Sequence, residues 1–119
     1  MTRREVKVRL PRDVLAAVLA ADAKKAENLI VLDLRKAGGF TDFFVVCSGA
    51  NPRQIRAIAD SVMEALSVTG VKPAHLEGYD RAEWILLDCF DFVVHVFSAE
   101  TRAFYALERL WGNAERVAM

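Results

Sequence analysis

Apolar residues follow a helical spacing in some parts of the chain and a continuous or alternating spacing in others. The stripe from Val14 to Leu19 repeats at i, i+1, i+4 and i+5, which is the spacing of one helix face. Pro11 suits the opening of this helix, and the stripe continues to about Lys25. The first element predicted with a regular pattern is therefore a helix.

Two apolar runs, at residues 29–34 and 42–47, predict strands, and the second run is continuous enough for a central strand covered on both faces. A second helix follows, because Asn51 is a good N-cap residue and Pro52 fits the first helical position. Gly70 is a typical residue for the end of this helix.

The C-terminal half predicts a short strand at residues 75–78, a hairpin of residues 84–89 and 92–98, and a last helix that opens at Ser98 and stops at Gly112. The order is then α-β-β-α-β-β-β-α. This order predicts an α/β fold in which a single mixed sheet is packed with about three helices.

The length of 119 residues predicts a single domain. We divide it into a basic N-terminal arm (1–11), a folded core (12–112) and a C-terminal tail (113–119). The alternation of Val6, Val8 and Leu10 is compatible with a short strand in the arm. Its basic residues fit a solvated tail or, alternatively, an RNA contact.

The composition is that of a soluble globular protein, with 54% hydrophobic and 27% charged residues. Sixteen acidic residues balance sixteen basic ones, so the net charge gives no overall attraction to nucleic acid or to anionic lipid. No apolar run reaches the length of about 18 residues that a membrane helix needs, and no signal peptide is evident. Cys47 and Cys89 lie in apolar runs and are predicted to be reduced, buried thiols of a cytoplasmic protein.

The hairpin has two faces of different character if Phe90 and Asp91 form a two-residue turn. One face is wholly apolar and is predicted to pack on the helices. The other is mixed, with a large aromatic side chain, as is typical of protein-binding surfaces. It carries Trp84, Leu86, Asp88, Val93, His95 and Phe97.

The polar residues of the hairpin also allow a catalytic interpretation. Asp88 and Asp91 have a spacing that could hold Mg²⁺, as in a metal-dependent nucleotidyltransferase-like enzyme. Asp is also common in turns for backbone reasons. The loop 48–51 precedes a helix N-terminus but has one glycine and no lysine at P-loop spacing. His95 could serve a structural or interface role, or it could act as a catalytic general base.

Two long stretches resemble the ribosomal silencing factor family, also called the Iojap family. They are "TDFFVVCSGANPRQIRAIAD" and "EGYDRAEWILLDCFDFVVHVFSAETRAFYALERLWG". The resemblance extends over about residues 13–112. The residues that carry it are Asp33, Asp42, Trp84, Asp88, Asp91, Val94, His95, Arg102, Tyr105, Leu107, Glu108, Leu110 and Trp111. The bend at Cys89 and Phe90 departs from expectation, since it has no glycine.

The resemblance implies a translation repressor that is not an enzyme and uses no cofactor or metal. It implies a nucleotidyltransferase-like fold without the catalytic set. Family members bind the large ribosomal subunit at its interface protein uL-fourteen and sterically block joining of the small subunit; some are homodimers. On this chain we predict a partner-binding patch made of Trp84, Leu86, Asp88, His95 and Tyr105. Neither a membrane nor a specific nucleic-acid sequence is expected as a partner.

Overall fold

The computed structural model describes residues 5–6, 9–38, 40–105 and 114–118. Within these ranges the chain forms an α/β fold with one mixed sheet and three helices, as predicted. The elements are β1 (Glu5–Val6), α1 (Arg12–Ala23), β2 (Glu27–Asp33), β3 (Phe43–Gly49), α2 (Pro52–Val68), β4 (His75–Glu77), β5 (Trp84–Asp88), β6 (Phe92–Ser98), α3 (Ala99–Tyr105) and β7 (Glu115–Val117).

The described strands lie in the order β1-β7-β2-β3-β6-β5-β4. The central pair, β3 and β6, is parallel, and the pairs β2–β3, β5–β6 and β4–β5 are antiparallel. Every residue of β3 is buried, which confirms the prediction of a central strand covered on both faces. Because β3 and β6 are parallel neighbours, the N-terminal ends of both strands lie side by side, and so do their C-terminal ends.

Two short strands enlarge the predicted order to β-α-β-β-α-β-β-β-α-β. Strand β7 lies in the segment that we expected to be a C-terminal tail, and it pairs antiparallel with β2 through Leu32 and Arg116. Strand β1 lies in the basic arm and pairs parallel with β7. Strand β7 is too short to give a hydrophobic period, and it forms because the edge of β2 offers unpaired backbone groups. Strand β1 in turn pairs with the other edge of β7.

The helices α1 and α2 pack against one face of the sheet. Their buried side chains, including Val14, Val18, Ile55, Ile58 and Val62, form one core with the apolar residues of that face. The opposite face carries a smaller core, which contains Leu32, Phe44, Val46, Val93 and Phe97. The sheet therefore carries buried side chains on both of its faces.

Helix α2 begins as the sequence predicts. The side-chain oxygen of Asn51 accepts a hydrogen bond of 2.9 Å from the backbone N–H of Gln54, and Pro52 occupies the first helical position. After the helix, Gly70 adopts a φ of +83°, which suits glycine. The last predicted helix is present as α3, whereas its predicted continuation to Gly112 lies outside the described residues.

Candidate protein-interaction site

The hairpin of β5 and β6 has the predicted register. Trp84 lies opposite Phe97, Leu86 opposite His95, and Asp88 opposite Val93. The face formed by Ile85, Leu87, Cys89, Phe92, Val94 and Val96 is buried in the core beneath the helices, as predicted. The other face is therefore the one on which the mixed side chains lie.

This mixed face is buried on β6 and half-exposed on β5. Val93, His95 and Phe97 are each no more than 4% exposed, whereas Trp84, Leu86 and Asp88 keep part of their surface open. Strand β6 lies nearer the centre of the sheet, whereas β5 lies one strand from its edge. The open surface of this face therefore lies on its β5 side.

Trp84 is held by an aromatic cluster. Its indole N–H donates a hydrogen bond of 3.0 Å to Nδ1 of His95, and its ring centroid lies 4.9 Å from that of Phe97. The ring of His95 in turn meets Phe44 edge to face at 4.6 Å. These contacts fix the orientation of the indole while one side of it remains half-exposed.

Burial lowers the pKa of His95 from its usual 6.5 to about 3, because the imidazolium would lose its hydration. The ring is therefore neutral near pH 7. Since Nδ1 accepts the hydrogen bond from Trp84, the proton lies on Nε2, and that atom has no hydrogen-bond partner within the described part of the chain. His95 is only 4% exposed, so it offers little open surface itself; its ring contacts Trp84 and supports it.

Strand β4 adds two residues that the sequence analysis did not assign to the site. His75 lies opposite Asp88, and Glu77 opposite Leu86, so both extend the face of β5 to the sheet edge. Both are exposed. Their place on this face depends on the pairing of β4 with β5, and the sequence predicted the strand but not its register. We call the set of His75, Glu77, Trp84, Leu86 and Asp88 the edge patch.

The remaining predicted site residue, Tyr105, ends α3, and its side chain lies outside the described residues. The patch predicted from the sequence is thus brought together in part. Trp84, Leu86 and Asp88 share the exposed margin of one face, and His95 lies beneath it.

The loop before Trp84 is fastened to helix α2. The hydroxyl of Tyr79 donates hydrogen bonds of 2.9 and 3.0 Å to the carboxylate of Asp60, which raises the pKa of Tyr79. Arg56 donates to the backbone carbonyls of Tyr79 and Asp80. Gly78 has a φ of +78°, and a Cβ there would lie 2.0 Å from the carbonyl oxygen of Trp84. The close passage of this loop over Trp84 therefore requires glycine at position 78.

One of the two carboxylates of the hairpin, that of Asp88, is used in its turn. Oδ1 of Asp88 accepts a hydrogen bond of 3.0 Å from the backbone N–H of Phe90. The backbone carbonyl of Asp91 accepts from the N–H groups of Asp42 and Phe43. Within the described ranges, no group of three or more His, Cys, Asp or Glu residues could hold a metal ion. The hydrogen bond from Phe90 N–H supports the turn interpretation for Asp88.

The loop at residues 48–51 is likewise explained by local structure. Gln54 bonds to the loop twice, since its side chain accepts from Ala50 N–H and its backbone N–H donates to Asn51. The hydroxyl of Ser48 accepts a hydrogen bond of 3.1 Å from Arg102. A Cβ at Gly49 would lie 2.8 Å from the side chain of Ile55, so the glycine permits close packing of α2. These contacts account for the loop without a bound phosphate.

Both cysteines are free and buried, as predicted. Burial raises the pKa of Cys47 to about 12 and that of Cys89 to about 11, so neither is a reactive thiolate near pH 7.

Among the described helices, none is long and apolar enough to cross a membrane.

Comparison with known proteins decides the family. The model of the family described as "Ribosomal silencing factor during starvation" matches residues 8–119. This chain belongs to the ribosomal silencing factor family. A ribosomal silencing factor of Halalkalibacterium halodurans is 42% identical over 103 residues, which cover 87% of this chain and 88% of the relative.

Two further relatives extend the comparison. A Bacillus halodurans protein of known crystal structure superimposes with a TM-score of 0.79 at 40% identity, and covers 89% of this chain and 96% of its own. The mouse protein named "Mitochondrial assembly of ribosomal large subunit protein 1" is 28% identical over 102 residues, which cover 83% of this chain and 44% of that protein. The ribosomal silencing factors thus share both sequence and fold with this chain.

Proposed function

We propose that this chain binds the large ribosomal subunit at its interface protein uL-fourteen and blocks joining of the small subunit, which represses translation in the cytoplasm. The mechanism is steric exclusion, and no bond is made or broken. The family to which the chain belongs supports a role on the ribosome. The mouse relative, by its name, is concerned with assembly of the large ribosomal subunit, which supports that subunit as the relevant particle.

The observation that carries this proposal is the half-exposed, immobilised indole of Trp84. Its N–H bond to His95 and its packing on Phe97 hold the ring before any partner arrives. A preorganised aromatic ring loses little conformational entropy on binding, and tryptophan is the residue type most enriched among binding hot spots. The geometry supports Trp84 as the anchor of the contact.

The charge of the edge patch supports a basic protein as the partner. Glu77 and Asp88 carry carboxylates, and the patch contains no lysine or arginine. Such a surface favours encounter with Lys and Arg side chains and disfavours acidic partners. Leu86 lies opposite Glu77 on the neighbouring strand and two residues before Asp88 on its own strand, so it supplies an apolar contact beside both carboxylates. Tyr105 remains a proposed member of the contact, and His95 acts by orienting Trp84.

Sedimentation of purified large subunits with the protein tests this proposal. We expect the wild-type protein to comigrate with the large subunit and to reduce formation of the complete ribosome. Trp84→Ala should weaken binding by about 2 kcal/mol or more, which is roughly thirtyfold. The matched control is Leu76→Ala, because Leu76 is a 45% exposed apolar residue of β4 that lies opposite Leu87, on the helix side of the sheet. A folded Trp84→Ala protein with unchanged affinity would place the contact elsewhere.

The enzyme alternative makes a separate prediction. A nucleotidyltransferase that used Asp88 and Asp91 would bind nucleotide in the presence of Mg²⁺. We expect no heat of binding in calorimetric titrations with nucleoside triphosphates and Mg²⁺, and a saturable heat that disappears in Asp88→Asn would establish the alternative.

A homodimer, which the family resemblance implies for some members, would appear as a concentration-dependent sedimentation coefficient of the free protein.

A further inference from the structure

The turn between β5 and β6 places a large apolar side chain in an unfavourable backbone conformation. Phe90 has a φ of +69°, in the left-handed region where the Cβ of an L-residue is crowded and where glycine is the usual residue. The fold does not compensate through burial, because Phe90 is 77% exposed. An apolar ring that is strained by its backbone and open to water suggests a role outside the fold.

A second exposed phenylalanine lies near the same end of the central strands, just before β3. Phe40 is 75% exposed and lies three residues before β3, just as Phe90 lies two residues before β6. The hydroxyl of Thr41 donates a hydrogen bond of 2.7 Å to the carbonyl of Phe90. The N–H of Asp42 donates one of 2.9 Å to the carbonyl of Asp91. These bonds fasten the two segments together, so the two exposed phenylalanines lie on neighbouring segments at this end of the sheet.

Carboxylates accompany the two rings. Residues 40–42 and 88–91 contain Asp42, Asp88 and Asp91 but no lysine or arginine. The pKa of Arg35 is raised first by its hydrogen bonds to Asp33 and further by the charge of Asp42, and its guanidinium is bound to Asp33. In the described part of the chain, no salt bridge involves these three carboxylates. We call the set of Phe40, Asp42, Asp88, Phe90 and Asp91 the turn patch.

We propose that the turn patch is a second contact for the same ribosomal partner, and this inference rests on the proposed function. The occupant is a basic segment of the large-subunit protein, with an apolar side chain between Lys or Arg residues. Aromatic rings bordered by one sign of charge are complementary to such a segment. An anionic lipid surface would be repelled by the same carboxylates.

The turn patch is continuous with the edge patch through Asp88, which belongs to both. From Trp84 to Asp88 the strand rises by about 13 Å, at roughly 3.3 Å per residue. The two patches therefore fit within one protein–protein interface of ordinary size, which buries about 800 Å² on each partner. Trp84 anchors one end of this surface, and the phenylalanines anchor the other.

The decisive variant is Phe90→Gly, because it removes the ring and at the same time relieves the backbone. We expect its thermal unfolding midpoint to equal or exceed that of the wild-type protein, while its affinity for large subunits falls about tenfold. The matched control is Val68→Ala, since Val68 is an 81% exposed apolar residue at the end of α2 and its loss should leave affinity unchanged.

A second variant, Asp91→Asn, tests the charge of the turn patch. Because salt screens attraction between exposed charges, this variant should weaken binding more at low salt than at high salt.

The outcomes separate this inference from the proposed function. If Trp84→Ala weakens binding and Phe90→Gly does not, the turn patch is not a contact, although the proposed function stands. If the wild-type protein does not bind large subunits at all, both proposals fail. If Phe90→Gly instead abolishes self-association of the free protein and leaves ribosome binding intact, the turn patch joins two copies of the chain, and the ribosomal contact proposed here is wrong.

Discussion

The indole N–H of Trp84 donates to Nδ1 of His95, and this bond joins a half-exposed side chain to a buried one. His95 lies 11° from parallel with Phe97 and nearly perpendicular to Phe44. The imidazole can accept this bond only while Nδ1 is unprotonated. The orientation of Trp84 therefore depends on a histidine that the protein keeps neutral by burial.

His95 should make the stability of the protein sensitive to acid. Its pKa is about 3 in the folded protein and near 6.5 in the unfolded chain, so below pH 6.5 the unfolded state binds a proton that the folded state does not. The free energy of unfolding therefore falls as pH decreases from 6.5 toward 3. We expect a loss of about 2 kcal/mol between pH 7.5 and pH 5 from this residue, measured by urea unfolding.

The control for this pH dependence is His95→Gln, which keeps a hydrogen-bond acceptor but does not titrate. Its stability should change less between pH 7.5 and pH 5 than that of the wild-type protein, whatever its absolute stability. His75 is present in both proteins and cancels in the comparison. Equal pH dependence of the two proteins would show that His95 is not held neutral in the folded state.

Trp84→Phe separates the hydrogen bond from the aromatic ring. The variant keeps an aromatic contact with Phe97 but removes the N–H, so the buried Nδ1 of His95 loses its donor. We expect the free energy of unfolding to fall by about 1–2 kcal/mol, measured by urea unfolding. Affinity for large subunits should lie between those of the wild-type protein and Trp84→Ala. Stability and affinity both equal to wild type would mean that the hydrogen bond does not position the indole.

The hairpin shows how far the sequence could predict this site. A strict two-residue period fixed which side chains share a face, and the structure has that register. The burial of His95 does not follow from period, because it depends on what covers each part of the sheet. A histidine among apolar residues is consistent with an exposed or a buried position until its partner, here Trp84, is known.

Contacts between distant segments account for what the sequence missed. The register of β4 with β5 places His75 and Glu77 beside Asp88 and Leu86, and no local pattern determines that register. Strand β7 forms through pairing with β2, from which it is separated by most of the chain. The sequence shows that position 90 of the turn is phenylalanine and not glycine. The strain itself is evident only from the positive φ of Phe90 in the structure.

Gly78→Ala should be more damaging than the same substitution at Gly70. Both glycines have positive φ, +78° and +83°, so alanine is strained at either position. At Gly70 the added Cβ meets nothing within 4 Å, and we expect a loss of about 1 kcal/mol.

At Gly78 the added Cβ would overlap the carbonyl of Trp84 at 2.0 Å. The loop must then shift, and we expect a total loss of roughly 2–4 kcal/mol in urea unfolding together with weaker binding of large subunits. Similar losses for the two variants would mean that the loop moves away from Trp84 at little cost.

Arg35→Ala should destabilise the protein more than Lys36→Ala, although both remove one exposed cation near the end of β2. Asp33 is 5% exposed and receives two side-chain hydrogen bonds from Arg35, at 3.0 and 2.8 Å, which lower its pKa. Without Arg35 this buried carboxylate keeps, among the bonds of the described residues, the one from the backbone N–H of position 35, and we expect a loss of about 1–2 kcal/mol at pH 7. Lys36 is 84% exposed and 3.9 Å from Glu115, so its loss should cost about 0.5 kcal/mol or less.

The contribution of Arg35 should also depend on pH. Because the pKa of Asp33 is lower in the folded protein than its usual 3.8, the stabilisation is complete above pH 3.8 and is lost as pH falls through the folded-state pKa. The difference in unfolding free energy between the wild-type protein and Arg35→Ala should therefore be constant from pH 7 to about pH 5 and shrink in stronger acid. A difference that persists when Asp33 is protonated would assign the stabilisation to the packing of Arg35 over the ring of Phe43, 5.1 Å from its guanidinium carbon, and not to the ion pair.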